Sequence, residues 1–185
     1  MPTHASPTRQ LSRGAAHGPV LFTDTALSFW GGVNPATGEV IDRHHPLSGQ
    51  SVTGKMLVMP QGRGSCTGSS VLLELILNGK GPAALMLQDP DEILLLGAVI
   101  AECVFAHQLP VVTVTADDFK QLAETPWASL SARGELTLQA QADPLWCDDG
   151  LDLRDANLHG FSAMALKPQD RAILAGAEGK CRQVA

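Results

Sequence analysis

Charged and aromatic residues are scarce in this sequence. Charged residues make up 17% of the 185 positions and aromatic residues 4%, with no tyrosine at all, whereas an ordinary globular domain is about 25% charged. Apolar residues make up 44%, which excludes disorder along most of the chain. The length suits one domain with an appendage. Because so little charge is available to cover the surface, we expect a partner to hide some apolar area.

Other absences exclude whole classes of protein. The sequence has no dense run of Lys or Arg and a net charge of -6, so neither nucleic acid nor an anionic membrane is expected as a partner. The longest apolar stretch, residues 93–106, is interrupted by Glu102 and is shorter than the roughly 18 residues that span a bilayer. We therefore expect a buried helix there. Residues 1–19 lack an apolar core of signal-peptide length.

Close cysteine pairs are also missing. The four cysteines lie at positions 66, 103, 147 and 181 and form no CxxC or CxxH pair. This spacing offers no zinc or cluster motif, and we expect no metal site in this chain. Thiols without close partners are typical of a reduced protein, so the cytoplasm is the expected compartment.

The middle of the chain predicts an α/β fold with a β-α-β-α-β core. Continuous apolar runs at 56–59, 83–87 and 111–115 are typical of strands covered on both faces. A helix is predicted between the first two runs, from an N-cap at Ser69 or Ser70 to a stop at Asn78 and Gly79. A second helix is predicted to start near Asp89-Pro90-Asp91 and to end near residue 107. Strands linked in this way by crossover helices are parallel.

The regions around this core are less regular. Residues 19–23, 26–33 and 39–42 predict hairpin strands around the turn at 34–38, and residues 117–124 and 135–139 predict a short helix and an edge strand. Residues 1–18 are expected to be a flexible lead-in. Residues 141–165, which are rich in Asp, are expected to form a linker or wrapping arm, and a new helix is predicted near 167–175.

The turn at 61–70 is where chemistry is expected. It joins a buried strand to the start of a helix, where free N–H groups and the helix dipole favour an anion. It lacks the lysine of a Walker loop, and its glycines give GxGxxxG rather than GxGxxG. It also lacks the GxSxG elbow of serine hydrolases. What remains is Ser65 with Arg63 beside it, which suits an alkoxide or a bound carboxylate; a serine that merely caps a glycine turn is the alternative.

Three longer motifs carry a family resemblance. They are LSFWGGVNPATG at 27–38, IDRHHPLSGQS at 41–51 and GRGSCTGS at 62–69. In this order they resemble the small-subunit or swivel region of aconitase X, a member of the aconitase superfamily, over residues 26–114. The resemblance implies a swivelling β/β/α domain over 19–140, which closes over a larger catalytic domain with the active site between the two.

The resemblance also implies roles for individual residues. Ser65 matches the superfamily serine that takes the substrate proton, while an iron or iron–sulfur site is expected on the large domain rather than in this chain. Aconitase has an arginine two residues after that serine; this position is Thr67 here, and Arg63 is the candidate substitute. The expected substrate contacts are Arg63, Gly64, Cys66, Thr67 and His45, although His45 could equally be an exposed loop residue. Asp42 and Arg43 are expected to form a local ion pair.

Residues 166–176 resemble the opening helix of the aconitase X large domain. Residues 166–185 are therefore expected to be the truncated start of that domain, and the chain to be inactive alone. The leading expectation is a hydro-lyase that converts cis-3-hydroxy-L-proline, a small hydroxy acid, to Δ1-pyrroline-2-carboxylate together with its large domain. The alternatives are the small subunit of a mevalonate 5-phosphate dehydratase and a non-catalytic interaction module.

Overall fold

A computed structural model describes residues 4–140, which form eight strands and three helices. In chain order these elements are β1 (His4–Pro7), β2 (Arg9–Ser12), β3 (Ala16–Phe22), β4 (Met56–Met59), α1 (Thr67–Leu77), β5 (Ala84–Leu87), α2 (Glu92–Phe105), β6 (Val111–Thr113), α3 (Ala116–Leu122), β7 (Trp127–Leu130) and β8 (Glu135–Gln139). All eight strands belong to one sheet, in the order β1-β8-β7-β3-β4-β5-β6-β2.

The centre of the sheet is parallel. β3, β4, β5 and β6 pair side by side in parallel register, and α1 and α2 make the crossovers from β4 to β5 and from β5 to β6. Every residue of β4 and β5 is buried, as continuous apolar runs require when both faces of a sheet are covered. The predicted α/β class and β-α-β-α-β core are therefore confirmed.

Two apolar cores lie on the two faces of the sheet. Alternate strand residues divide between them: Leu57 and Met59 belong to the first core, and Met56 and Val58 to the second. The first core also contains α1, α2 and the long β3–β4 connection, whereas the second contains α3, β7 and β8. Because β4 and β5 bury both of their faces, they provide a rigid base for the loops that leave their ends.

The prediction of a flexible lead-in at 1–18 is wrong for the described part of that segment. β1 pairs with β8 and β2 pairs with β6, both antiparallel, and β3 begins at Ala16 rather than at residue 19. The two N-terminal strands are short and polar, and backbone hydrogen bonds at the sheet edges hold them in place. Because they lack an apolar pattern, the sequence gives no local sign of them. β8, predicted as an edge strand, is covered by β1.

The predicted hairpin at 26–42 is reduced to isolated bridges. Val33 pairs with Val40, and Glu39 with Ser51, as single antiparallel bridges. The connection between β3 and β4 nevertheless packs tightly, because its apolar side chains enter the first core; they are Leu27, Phe29, Val33, Val40, Leu47 and Val52. Burial therefore holds this connection in place.

The start of α1 differs from the prediction, whereas α2 starts within the predicted segment. α1 is capped at Cys66 with no side-chain cap bond, and the Ser69 hydroxyl donates instead to the Cys66 carbonyl at 2.6 Å. Asp91 caps α2 by accepting from the Ile93 and Leu94 amides.

α2 is not the buried helix predicted from its composition. Its outer face exposes apolar side chains, namely Leu96, Val99, Val104 and Phe105.

Among the residues that the structure describes, no helix is long and apolar enough to cross a membrane. The predicted linker at 141–165 and large-domain start at 166–185 lie outside the described residues.

Candidate active-site loop

The loop between β4 and α1 lies where the parallel strands end. In open α/β sheets, this carboxyl edge is the usual place for a ligand. The loop pairs with the segment that follows β3: Leu27 and Gly62 form a parallel bridge, and the Arg63 amide donates to the Leu27 carbonyl at 3.0 Å. The Gly62 amide donates to the Asp91 carboxylate at 2.9 Å. The loop is thus attached both to its neighbouring segment and to the start of α2.

Ser65 is exposed at the tip of this loop. Its hydroxyl donates to the Thr67 hydroxyl at 3.3 Å, and its carbonyl accepts the Gly68 amide. Gly64 precedes it with a φ of +120°, and a Cβ built there would lie 3.2 Å from the Ser28 hydroxyl oxygen. A glycine is therefore required before Ser65, and the serine hydroxyl itself is not needed for the backbone path.

Arg63 forms an ion pair that the sequence did not reveal. Its Nη2 lies 3.2 Å from Oδ2 of Asp42, while Oδ1 of Asp42 accepts the His44 amide at 3.0 Å. Asp42 thus pairs across the fold with Arg63, and the predicted local pair with Arg43 is wrong. The guanidinium is fixed at one nitrogen, and 60% of the Arg63 side chain is exposed.

His45 has a structural position. Its side chain is buried, Nδ1 accepts the Leu47 amide at 3.2 Å, and Nε2 lies 3.2 Å from the Thr25 carbonyl oxygen. Nδ1 thus has a donor as its partner and Nε2 has an acceptor. Both ring nitrogens have partners within the protein, which argues against the predicted substrate contact. The ring instead stabilises the β3–β4 connection by joining Thr25 to Leu47.

A shallow cleft opens beside Ser65. Arg63, Gly64 and Ser65 line it, together with Leu27, Phe29, Gly62, Gly68, Asp91, Ile93 and Leu94. Its volume is about 40 Å³, which is small beside the roughly 300–1,000 Å³ of ordinary ligand pockets. A substrate bound here would need walls from outside the described residues.

The remaining predicted site residues lie at the helix start. Cys66 is a free, exposed thiol and Thr67 begins α1; neither lines the cleft. Within residues 4–140, no group of three or more His, Cys, Asp or Glu side chains could hold a metal ion, so an iron site does not fit the residues present here. Asp42 and Asp91 bind residues of the loop and were missed as supporting residues, because each is distant from Ser65 in sequence.

Comparison with known proteins decides the family. The model of the aconitase X swivel domain matches residues 6–138. This chain belongs to the aconitase X swivel-domain family. The match begins inside the segment predicted as a lead-in and covers all the sheet strands that the structure describes from β2 onward, in agreement with the observed fold.

Curated relatives of the swivel domain are dehydratases. A cis-3-hydroxy-L-proline dehydratase of Pseudomonas aeruginosa is 49% identical over 98% of this chain, which spans 30% of that protein. One from Hypocrea jecorina is 43% identical over 93% of this chain and 29% of that protein. The chain thus spans less than a third of these relatives. A phosphomevalonate dehydratase small subunit of Methanothermobacter thermautotrophicus is 41% identical over 63% of this chain and 84% of its own length.

Solved structures agree with the fold. Aconitase X of Thermococcus kodakaraensis, in its holo form, matches with a TM-score of 0.64 and 31% identity, over 74% of this chain and 99% of the matched chain. The solution NMR structure of a UPF0107 protein matches with the same TM-score and 34% identity. The predicted swivel fold is therefore confirmed by structures as well as by sequence.

Proposed function

We propose that this chain is the swivel part of a hydro-lyase that dehydrates cis-3-hydroxy-L-proline to Δ1-pyrroline-2-carboxylate. The observation that carries this proposal is the reach of the similarity. The Pseudomonas dehydratase aligns over 98% of this chain, and so past the end of the swivel match at residue 138. The Methanothermobacter small subunit aligns over 63%. Similarity that continues beyond the swivel domain favours a fused dehydratase.

The proposed reaction begins with proton removal at C2 of the substrate. Ser65, as alkoxide, takes this proton, so that an O–H bond forms on the serine as the C2–H bond breaks. The electron pair forms the C2–C3 double bond as the C3–O bond breaks. The leaving hydroxide takes a proton from solvent and is released as water, and Ser65 returns its proton to solvent. Transfer of a proton from nitrogen to C3 then gives the imine product.

The loop supports this role in two ways. A serine alkoxide needs nearby positive charge or hydrogen-bond donors, and Arg63 lines the same cleft as Ser65. Among the described residues, no protein acceptor takes the N–H groups of Ser65, Cys66 and Thr67, so these donors remain for the alkoxide or the substrate. We therefore assign Ser65 as the base, with Arg63, Gly64, Cys66 and Thr67 around the substrate.

The rest of the site is proposed to lie on a large catalytic part. The archaeal relatives named small subunits imply such a partner, and the cleft beside Ser65 is open. We place the family's iron or iron–sulfur group on that partner, and expect this chain to be inactive alone. Its free, exposed Cys66 and Cys103 suit the reducing cytoplasm.

The test is an anaerobic dehydration assay in which this chain is added to an iron-loaded aconitase X large domain. We expect turnover of cis-3-hydroxy-L-proline that requires both parts and is lost in Ser65→Ala. Turnover by the large domain alone would contradict the proposed role of the chain. Undiminished turnover with Ser65→Ala would contradict the base.

The second candidate is the small subunit of a mevalonate 5-phosphate dehydratase. It is favoured by the alignment with 84% of the length of the Methanothermobacter small subunit. Turnover of mevalonate 5-phosphate, with none of the hydroxyproline, would select it. A chain that neither binds the large domain nor supports turnover would instead be a non-catalytic module.

A further inference from the structure

Asp42 holds Arg63 through a carboxylate whose two oxygens have different partners. Oδ1 accepts the His44 amide at 3.0 Å, and Oδ2 contacts Nη2 of Arg63 at 3.2 Å. The Asp42 side chain is only 18% exposed, against 60% for Arg63. The Asp42 carboxylate is thus held within the β3–β4 connection, while the Arg63 guanidinium extends towards solvent.

The backbones of both residues are fixed to the same segment. The Asp42 amide donates to the Gly32 carbonyl at 3.3 Å, and the Arg63 amide donates to the Leu27 carbonyl at 3.0 Å. Residues 27–32 therefore set the distance between the two backbones. The backbone atoms from which the two side chains extend are already fixed, so the fold determines the geometry of the ion pair.

The guanidinium retains most of its donors. An arginine has five N–H groups in a planar fork, and the contact with Asp42 uses one nitrogen. Arg63 also lines the cleft that contains Ser65. A planar fork with free donors matches a carboxylate, which it can bind through two parallel hydrogen bonds.

We propose that Asp42 is a positioning residue: it holds Arg63 at the rim of the Ser65 cleft in the orientation that binds the substrate carboxylate. This inference rests on the proposed function, because it assigns a role within that site. It concerns recognition of the carboxylate, whereas proton removal is assigned to Ser65. Asp42 touches neither substrate nor reacting atoms in this proposal and acts through Arg63.

The negative charge of Asp42 also has an opposing effect, since it weakens the attraction between Arg63 and an anion. That effect is small at an exposed position, where water and salt screen charges. A free arginine side chain, in contrast, loses considerable rotamer entropy when it binds. We therefore expect the gain from a pre-oriented guanidinium to exceed the loss from the nearby carboxylate.

Asp42→Asn separates these contacts. The amide oxygen of asparagine can still accept the His44 amide, so the turn is retained. Its NH₂ group replaces Oδ2 and cannot accept from Arg63. Glu39→Gln is the matched control, because it removes an exposed carboxylate from the same connection without touching Arg63.

The first measurement is steady-state kinetics of the chain assembled with the large domain. We expect Asp42→Asn to raise KM five- to tenfold with kcat within twofold, and Glu39→Gln to change neither. In an Arg63→Gln background, Asp42→Asn should have no further effect, because its partner is gone. An unchanged KM in the single variant, or an equal KM rise in the Arg63→Gln background, would overturn the proposal.

The second measurement needs no turnover. The Nε–H signal of Arg63 is followed by ¹⁵N NMR in the full chain while sodium acetate is added, with sodium chloride at equal ionic strength as the reference. We expect an acetate-specific shift that is at least threefold weaker in Asp42→Asn and unchanged in Glu39→Gln. Equal shifts in all three proteins overturn the positioning role whatever the enzyme does. Absence of turnover combined with the expected NMR pattern would instead reject the proposed function and leave a carboxylate-binding pair.

Discussion

Ser65 lies on a loop whose path depends on its neighbours. The loop is fixed by the bonds of Gly62 and Arg63 and by the positive φ of Gly64, and the Ser65 hydroxyl donates only to Thr67 at 3.3 Å. Loss of this exposed hydroxyl should therefore have little effect on folding. The same loss should remove the base from the proposed reaction.

Ser65→Ala is thus expected to lower kcat of the assembled enzyme by about 10³-fold, the usual scale for loss of a general base. The free energy of unfolding should stay within about 0.5 kcal/mol of the unchanged chain. Steady-state kinetics and denaturant unfolding measure the two quantities. Ser70→Ala, at an exposed position in α1, is the control and should change neither; an active Ser65→Ala enzyme would remove Ser65 from the mechanism.

For His45 we expect a substitution to lower stability, in contrast to Ser65. Because its ring bridges the Leu47 amide and the Thr25 carbonyl in a buried position, His45→Ala should lower the free energy of unfolding by about 2–4 kcal/mol. His44→Ala, at the exposed neighbouring position, should lower the free energy of unfolding by about 0.5 kcal/mol or less. Urea unfolding of both variants provides the comparison. A stable His45→Ala protein with a raised KM would restore His45 as a substrate contact.

Residue-level predictability depended on distance along the chain. The strand–loop–helix pattern was sufficient to locate Ser65 and Arg63, because both belong to one local motif. The pair between Asp42 and Arg63 spans 21 positions, and the adjacent Arg43 was the more obvious partner. The burial of His45 could not be predicted for a similar reason, since a histidine in a motif gives no sign of whether its ring is buried.

Asp91 connects two elements and has a separate oxygen for each. Oδ1 caps α2 through the Ile93 and Leu94 amides, and Oδ2 accepts the Gly62 amide from the active-site loop. Asp91→Ala should therefore lower the free energy of unfolding by about 1–2 kcal/mol through loss of the cap, and should also loosen the loop.

Thermal unfolding and amide hydrogen exchange would separate these two effects. We expect faster exchange at Gly62 in Asp91→Ala, since its amide loses its acceptor, and no such change in Asp89→Ala, whose side chain is exposed. Unchanged exchange at Gly62 would mean that Leu27 alone holds the loop.

The N-terminal strands can be tested as an element. Deletion of residues 1–12 would uncover the edges of β6 and β8 and remove Leu11, which packs against the first core. We expect the free energy of unfolding to fall by about 2–4 kcal/mol and self-association to rise because strand edges become free. Deletion of residues 1–3, which leaves β1 and β2 whole, is the control. Denaturant unfolding and light scattering measure the two effects; equal stability of both truncated chains would contradict a structural role.

Elements with strong local signals were predicted well. β4 was predicted with the observed bounds, and β5, β6 and both crossover helices were placed within a few residues, because continuous apolar runs and an Asp cap are visible locally. β1 and β2 were missed because their stability comes from strands more than 90 residues later in the chain. The exposure of the outer face of α2 was not predicted, because apolar composition does not show how many faces of a helix pack against the protein.

At the scale of the whole molecule, the proposed function makes the described fold one wall of an active site on a stable support. The central strands bury both faces, while the loop with Ser65 and Arg63 lies at their open end beside a cleft of about 40 Å³. Such a wall can contribute a base and a carboxylate-binding group, and the opposite wall has to come from elsewhere. Such a division would agree with relatives of both kinds, a named dehydratase of which this chain spans 30% and a named small subunit.

The sheet order has a consequence for how the chain folds during synthesis. β1 and β2 are separated by Thr8 alone, yet they occupy opposite ends of the order, so this N-terminal ribbon nearly closes the sheet. It leaves the ribosome before the strands with which it pairs, and β1 cannot pair until β8, which ends at Gln139, has also been made. At about 5–20 residues per second, the ribbon waits for several seconds without its partner. β1, which precedes every other described strand, can therefore pair only after the last described strand has been made.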